Sequence, residues 1–200
     1  MTKDFFEHKA SSYEQNKSRV DNVDNIANSI LSAVEFDKTM HIMDFGSGTG
    51  LLLEKIAPYV GKITAVDISK SMNKQLDEKR KAIGCEVEIM EIDLEKSDIA
   101  QKYDGIISSM TMHHIKDTKS MFIKFYSLLR SGGFIAISDL DIEDGRFHTE
   151  DTGVFHCGFD REKISKIVED AGFRNVEAST ASTVHKPQGK FPVFLLTAVR

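Results

Sequence analysis

One stretch constrains this chain more than any other: His41-Ile42-Met43-Asp44-Phe45-Gly46-Ser47-Gly48-Thr49-Gly50, followed at once by Leu51-Leu52-Leu53. An apolar run that reads as a strand ends on an acid, three glycines follow at alternate positions, and a helix opens. Glycine at every second position permits backbone angles that a side chain forbids, and it lets a ligand press against the main chain. The first turn of the helix leaves amide N–H groups without intrahelical partners. Together these features make a nucleotide-sized crevice at the carboxyl end of a strand.

The spacing separates ligand classes. A dinucleotide fingerprint reads G-x-G-x-x-G and seats an anionic pyrophosphate. Here the pattern is Gly46-x-Gly48-x-Gly50, with Asp44 two residues before the first glycine. A carboxylate there repels a pyrophosphate and attracts a cation, such as an amine or sulfonium attached to a nucleoside. The segment resembles the first motif of the class I S-adenosylmethionine (SAM)-dependent methyltransferases. A glycine-rich turn that holds no ligand is the alternative reading of the same residues.

The order of elements gives a second, independent line. Apolar residues recur at three- and four-residue steps from Val20 to Val34, which predicts an amphipathic helix over residues 20–35. Strands are expected at 40–45, 63–66, 87–92, 103–109 and 134–138. Helices are expected at 51–59, 71–83, 119–129 (capped by Gly132-Gly133) and 161–170. This alternation predicts a parallel sheet with helices on both faces. The end differs: strands at 175–180 and 191–199 have only the Lys186–Lys190 turn between them, so they form an antiparallel hairpin. The expected fold is α/β, a Rossmann-like doubly wound sheet of seven strands, mostly parallel, with one antiparallel strand in a C-terminal hairpin. A parallel sheet closed by such a hairpin is what the methyltransferase resemblance implies.

Size and composition fit one domain. The chain has 200 residues, 40% hydrophobic and 28% charged, with a net charge of −5 and no basic run, which weighs against a nucleic-acid groove. The start of the chain leads into no apolar signal segment and no run reaches membrane-spanning length. Cys85 and Cys157 lie far apart, which suits reduced thiols in a cytoplasm. The expected division is an N-terminal lid and helix over 1–36, a cofactor-binding core over 37–139, an acceptor loop over 140–160, and a final helix and hairpin over 161–200. No motif sets an oligomeric state.

The resemblance carries specific residues with it. Asp67 ends the second strand, 17 residues after Gly50, where a carboxylate accepts hydrogen bonds from ribose hydroxyls; the alternative is a helix cap. Asp93 matches the acid that takes the adenine amino group, Leu94 the neighbouring N–H, and Ile68 an apolar contact to the ring. Ser109, near the end of the fourth strand, matches a backbone carbonyl that holds the methionine amine. At the N-terminus, Phe5 to Tyr13 resembles a lid segment, with Tyr13 reaching the methionine carboxylate; an ordinary amphipathic segment is the alternative. Asp44, Gly46, Ser47, Gly48 and Gly50 complete the cofactor set. Ser108-Ser109-Met110-Thr111 stands where amino-group methylases of adenine or glutamine carry an Asp/Asn-Pro-Pro-Tyr tetrapeptide, which disfavours those activities.

The reaction implied is in-line displacement at a sulfonium methyl, in which orientation supplies much of the rate. An acceptor hydroxyl or ammonium must also lose a proton, and His113 is the candidate base, with His114 beside it and His148 and His156 weaker; the alternative is that His114 packs under the following helix and His113 is a satisfied rim residue. The segment Asp139–Asp151 holds six acids (Asp139, Asp141, Glu143, Asp144, Glu150, Asp151) against Arg146. That excess points to a small neutral or cationic acceptor; a plain solvated acidic loop is the alternative reading. Phe147, Phe155 and Phe159 either line an acceptor pocket or anchor the loop. His148, Asp151, His156 and Cys157 fit no closed zinc spacing, so no metal is expected. Three other readings stay open: an RNA or protein methyltransferase, a SAM-binding protein without catalysis that acts through a partner, and NAD binding.

Overall fold

The structure is a computed structural model and describes residues 4–150 and 152–200. Helix α1 runs Lys17–Ala33, three residues earlier than the apolar pattern starts, because the Asn16 side chain accepts from the Arg19 amide and caps it. Strand β1 (His41–Phe45) leads through the glycine turn into α2 (Leu51–Ile56), which tightens into a 3₁₀ turn over Ala57–Tyr59. Then follow β2 (Lys62–Asp67), α3 (Lys70–Lys79), β3 (Glu86–Glu91) and β4 (Tyr103–Ser109). The second half holds α4 (Thr118–Leu128), β5 (Leu129–Leu140), α5 (Arg161–Asp170), β6 (Arg174–Lys186) and β7 (Gly189–Val199). Ser69, Asp117 and Asp160 cap α3, α4 and α5 through their side chains.

All seven strands form one sheet in the order β3-β2-β1-β4-β5-β7-β6. The pairs from β3 through β5 are parallel; β7 runs antiparallel to both β5 and β6. The order reverses between β1 and β4, and the crevice opens at the carboxyl ends of these two strands. Because strand side chains alternate faces, neighbours such as Ile42 and Met43, or Ile106 and Ile107, enter opposite cores. One core packs Ile42, Ile63 and Ile107 against Ile26, Ile30 and Leu53 of α1 and α2. The other packs Met43, Ile106 and Ile135 against Phe122 and Phe125 of α4 and Ile164 of α5. Burial of both sheet faces is what holds a parallel sheet together.

Three expectations are corrected here. The fourth helix does not reach Gly132-Gly133: it stops at Leu128, and residues 129–133 begin β5, where Gly132 (φ +76°) sits in the irregular stretch between the Leu129 and Phe134 pairings. Strand β5 also runs on to Leu140, so Asp139 and Leu140 belong to the sheet and not to the loop. The hairpin strands are longer than expected, and the turn contracts to Pro187-Gln188. Among the described residues no helix is long and apolar enough to cross a membrane.

Candidate active site

At the carboxyl ends of β1 and β4 lies a cavity of about 500 Å³. Its walls come from the glycine turn, the end of β4, the N-terminal segment with α1, the loop after β5, and the tip of the β6–β7 hairpin. Of the residues singled out in the sequence, Tyr13, Asp44, Gly46, Ser47, Gly48, Ser109 and His113 line it. Gly46 has a φ of +71°, and a Cβ there would lie 2.2 Å from Thr111, so the turn and the loop after β4 touch because this residue is glycine. Met110, next to Ser109, adopts a φ of +57°, a conformation that a bulky residue holds only when its surroundings impose it.

The polar lining of this turn is under-satisfied. Asp44 Oδ2, Ser47 Oγ, Thr49 Oγ1 and Ser109 Oγ are all buried and none has a hydrogen-bond partner. Buried polar groups in folded proteins are paired with few exceptions, so these four, with Asn22 Oδ1 and His148 Nε2 of the same cavity, suit a polar ligand that pairs with them. Burial, together with the neighbouring Asp67 carboxylate, pushes the Asp44 pKa up to about 8. A cation in the cavity reverses that penalty.

The remaining cofactor candidates sit beside the cavity and do not line it. Asp67 accepts from the Gly48 amide (2.8 Å) and the Ser69 amide (2.7 Å), fastening the glycine turn to the end of β2. A carboxylate offers about four lone-pair sites, so these two bonds leave room for a diol. Gly50 is the N-cap of α2 and packs on Leu76. Ile68 is 57% exposed, a large apolar side chain facing solvent along this edge. Asp93 accepts from the Glu95 amide and from Lys96, and Leu94 is buried with its carbonyl accepting from Lys124.

The N-terminal segment folds over the crevice. Asp4 accepts from the Ser69 and Ser71 hydroxyls and from the Ser71 amide at the start of α3. The Phe6 ring packs edge-on against both Tyr13 and His114, and Lys9 pairs with Glu150 of the opposite loop at 2.5 Å. Burial raises the Tyr13 pKa, opposed by Arg19 and reinforced by Asp67, so the phenol is a neutral donor. The Arg19 guanidinium lies 3.8 Å over the Tyr13 ring and donates to the Tyr13 carbonyl. Arg19 is a cavity residue that the sequence reading missed; its position one turn into a polar helix start carries no local signal.

The deepest polar feature is a dyad. His113, 1% exposed, places Nδ1 2.7 Å from Asp139 Oδ1, and its backbone amide donates to Asp139 Oδ2. The Leu140 amide donates to the same carboxylate, which is fully buried. An ionised Asp139 only accepts, so it fixes the tautomer with hydrogen on Nδ1 and leaves the Nε2 lone pair free. His114 and His148 pack on His113 with ring centroids 4.3 and 5.0 Å away. Burial, and then the neighbouring histidines, pushes both pKa values down to about 4, so these two rings are neutral at physiological pH.

Among the described residues, three acids of the loop are matched by cations. Asp139 lies in the sheet beneath His113, Asp141 makes a two-pronged pair with Arg161, and Asp144 pairs with Arg146. Glu143 accepts from the Arg146 and Phe147 amides, Glu150 is held by Lys9, and Asp151 lies outside the described residues. Of the loop aromatics, Phe147 lines the cavity, Phe159 is buried in the core, and Phe155 is exposed. His156 bonds the Ile115 carbonyl away from the cavity, and both cysteines are free thiols. Among the described residues no group of three or more His, Cys, Asp or Glu is arranged to hold a metal.

Comparison with known proteins bears on this geometry. Residues 42–133, from β1 to the start of β5, match the family model described as a methyltransferase domain. An uncharacterised methyltransferase of Schizosaccharomyces pombe is 28% identical over 155 residues, covering 69% of this chain and 55% of that protein. A malonyl-[acyl-carrier protein] O-methyltransferase of Acetivibrio thermocellus is 31% identical over 119 residues, 56% of this chain and 41% of that protein. The chain thus spans about half the length of the curated relatives it matches. Among solved structures, the complex of the Haloferax volcanii Trm112 methyltransferase activator with its methyltransferase superposes with a TM-score of 0.78 at 14% identity, covering 100% of this chain and 99% of that one; this likeness speaks for the fold alone. The matching segment opens on the glycine turn, and over residues 42–133 the chain is similar to methyltransferase domains, while its sheet order through the closing hairpin agrees with the fold of the methyltransferase structures it superposes on.

Proposed function

We propose that this chain binds SAM in the cavity and transfers its methyl group to a small-molecule acceptor, releasing S-adenosylhomocysteine (SAH). The observation that carries this reading is the set of four buried, unpartnered polar atoms on Asp44, Ser47, Thr49 and Ser109 around one cavity. An amino-acid zwitterion is the chemistry that such a lining takes: an ammonium for Asp44 and the Ser109 carbonyl, a carboxylate for hydroxyls and a cation. Arg19 and the Tyr13 hydroxyl supply the donors for that carboxylate. Asp67 takes the ribose, and Ile68, Asp93 and Leu94 take the adenine, along the outer edge of β2 and β3.

When bound, the cofactor supplies an electrophilic methyl group on a sulfonium centre. The protein's own part is positional and basic. His113 offers Nε2 as the proton acceptor, and Asp139 stabilises the imidazolium that forms. His114 and His148, both neutral, together with Phe6 and Phe147, keep water from the reacting position. General-base assistance of this kind contributes roughly 10²–10⁴-fold. The dyad gives the cavity a histidine oriented as a base, which suits an active enzyme more than a SAM-binding protein without catalysis. The expectation of a neutral or cationic acceptor rested on an open acidic loop; three of its acids, Asp141, Asp144 and Glu150, are matched by cations, which weakens that argument.

Calorimetry tests the reading directly. SAH is expected to bind the wild-type protein, NADH not to, and Asp44→Asn to weaken SAH about tenfold or more, in line with a charge-assisted contact. Tighter NADH than SAH binding would overturn the assignment. A screen of small acceptors for SAH release is expected to yield turnover that His113→Gln reduces at least a hundredfold with SAH affinity unchanged.

A further inference from the structure

Two cations line the cavity without a counter-ion. Arg19 contacts only the Tyr13 carbonyl and ring, and Lys186, half-buried on the hairpin tip, donates to the Phe147 carbonyl at 2.6 Å and sits 3.6 Å over the Phe147 ring. Among the described residues no carboxylate lies within ion-pair distance of either. Burial, and then the nearby Arg19, disfavours the charge on Lys186; Glu143 opposes this while its carboxylate accepts the Arg146 and Phe147 amides. The other cavity cation, Lys9, is matched by Glu150. Like charges left facing one apolar-walled space are costly, and an anion between them relieves that cost.

Next to Lys186 stands a second unsatisfied group. His148 Nε2 is buried with no hydrogen-bond partner, while its Nδ1 lies 3.2 Å from the Thr152 hydroxyl. When that hydroxyl donates to Nδ1, Nε2 carries the proton and is free to donate to a ligand. The His148 ring feels the Lys186 charge, abuts Phe147, and packs on His113. The Lys186 ammonium and the unpartnered His148 Nε2 thus both belong to groups that pack on Phe147, beside the His113 ring.

We propose that the methyl acceptor is a small acid, whose carboxylate or phosphate-type group is held by Lys186 and His148 while its accepting atom faces His113. The proposal rests on the methyltransferase reading, and charge matching leads from one to the other. The cofactor brings one ammonium, which Asp44 takes, and one carboxylate, which Arg19 takes beside Tyr13. Lys186 is then the cation that remains, and an acidic acceptor supplies its partner. Phe147 gives that acid an apolar surface to lie on.

The test is calorimetry on the full chain. SAH is titrated first; then benzoate, phenylphosphonate and the neutral isostere benzamide are titrated into the SAH-loaded protein. Wild type is expected to bind at least one of the two acids fivefold or more tighter than benzamide, and which one binds tighter distinguishes carboxylate from phosphate-type recognition. Lys186→Met is expected to abolish the preference, Lys186→Arg to restore it, and both to leave SAH affinity within twofold. Equal binding of the acids and benzamide would overturn the proposal. So would a tenfold loss of SAH affinity in Lys186→Met, because it would assign Lys186 to the cofactor's own carboxylate. Failure of the wild type to bind SAH would instead sink the methyltransferase reading, and the proposal with it.

Discussion

Nδ1 of His113 lies 2.7 Å from Oδ1 of Asp139, and the two side chains are 2% and 0% exposed. A carboxylate sealed at the end of a central strand, with three of its contacts made to residues 113 and 140, can hold an imidazole in one tautomer only. The expected outcome is direct: nitrogen-15 NMR of the wild type shows His113 with its hydrogen on Nδ1, and Asp139→Asn moves it to Nε2. That variant is expected to lose about 2–3 kcal/mol of stability, the scale of a buried hydrogen bond to a charged group, while still binding SAH. A wild-type ring protonated on Nε2 would remove His113 from consideration as a base.

Asp44 makes the ligand-free protein sensitive to pH. Its folded pKa, pushed up by burial and then by Asp67, stands near 8 against an ordinary 3.8. Between these values the folded state holds a proton that the unfolded chain has released, so stability falls as pH rises from about 4 to about 8. Asp44→Asn abolishes this dependence and is expected to stabilise the ligand-free protein at pH 8 by a few kcal/mol, read from denaturant unfolding. The same linkage predicts proton release when SAH binds at pH 7, visible as a calorimetric heat that changes with the buffer's ionisation enthalpy. Parallel pH–stability curves for wild type and variant would contradict both statements.

What was legible in the sequence was local. The glycine spacing, Asp44 and the helix behind it lie within one short stretch, and the closing hairpin follows from two strands with no helix between them. His113 and Asp139 are 26 residues apart, and they meet because β4 and β5 pair in register, Ser109 beside Ser138. Reading β5 as ending at Ser138 turned its last acid into a loop acid and hid the dyad. The charge of the loop misled for the same reason: only Asp144 finds its partner within two residues, whereas Asp141 and Glu150 are matched by Arg161 and Lys9 from other elements. Arg19 and Lys186 are joined only by the folding of α1 against the hairpin. Tertiary placement, not propensity, decides such pairs.

Gly46 and Gly48 separate steric contact from backbone strain. Both have positive φ, +71° and +54°, but a Cβ on Gly46 falls 2.2 Å from Thr111 while one on Gly48 meets nothing within 4 Å. Gly48→Ala is therefore expected to cost about 1 kcal/mol from conformation alone. Gly46→Ala adds a collision and is expected to cost about 3 kcal/mol or more. Thr111→Gly in the Gly46→Ala background is expected to recover the difference. Equal unfolding midpoints for the two alanine variants would show that the turn relaxes away from Thr111.

The N-terminal segment has two fastenings of unequal strength, and the inequality is testable. Lys9 and Glu150 meet at 2.5 Å, but their side chains are 42% and 66% exposed, and a pair so placed is worth at most about 1 kcal/mol. Asp4 instead gathers the Ser69 and Ser71 hydroxyls and the Phe6 and Ser71 amides at the start of α3. Burial alone would raise its pKa, but these hydrogen bonds outweigh it and hold the carboxyl below its ordinary 3.8. A depressed folded pKa means that the fastening is complete above the unfolded value and is lost as pH falls through the folded one. Asp4→Ala is expected to speed amide exchange across residues 5–15 and to expose Tyr13, whereas Glu150→Gln leaves exchange there within twofold. Equal protection in the two variants would mean that the segment is held by the packing of Phe6 on Tyr13 and His114 and not by Asp4.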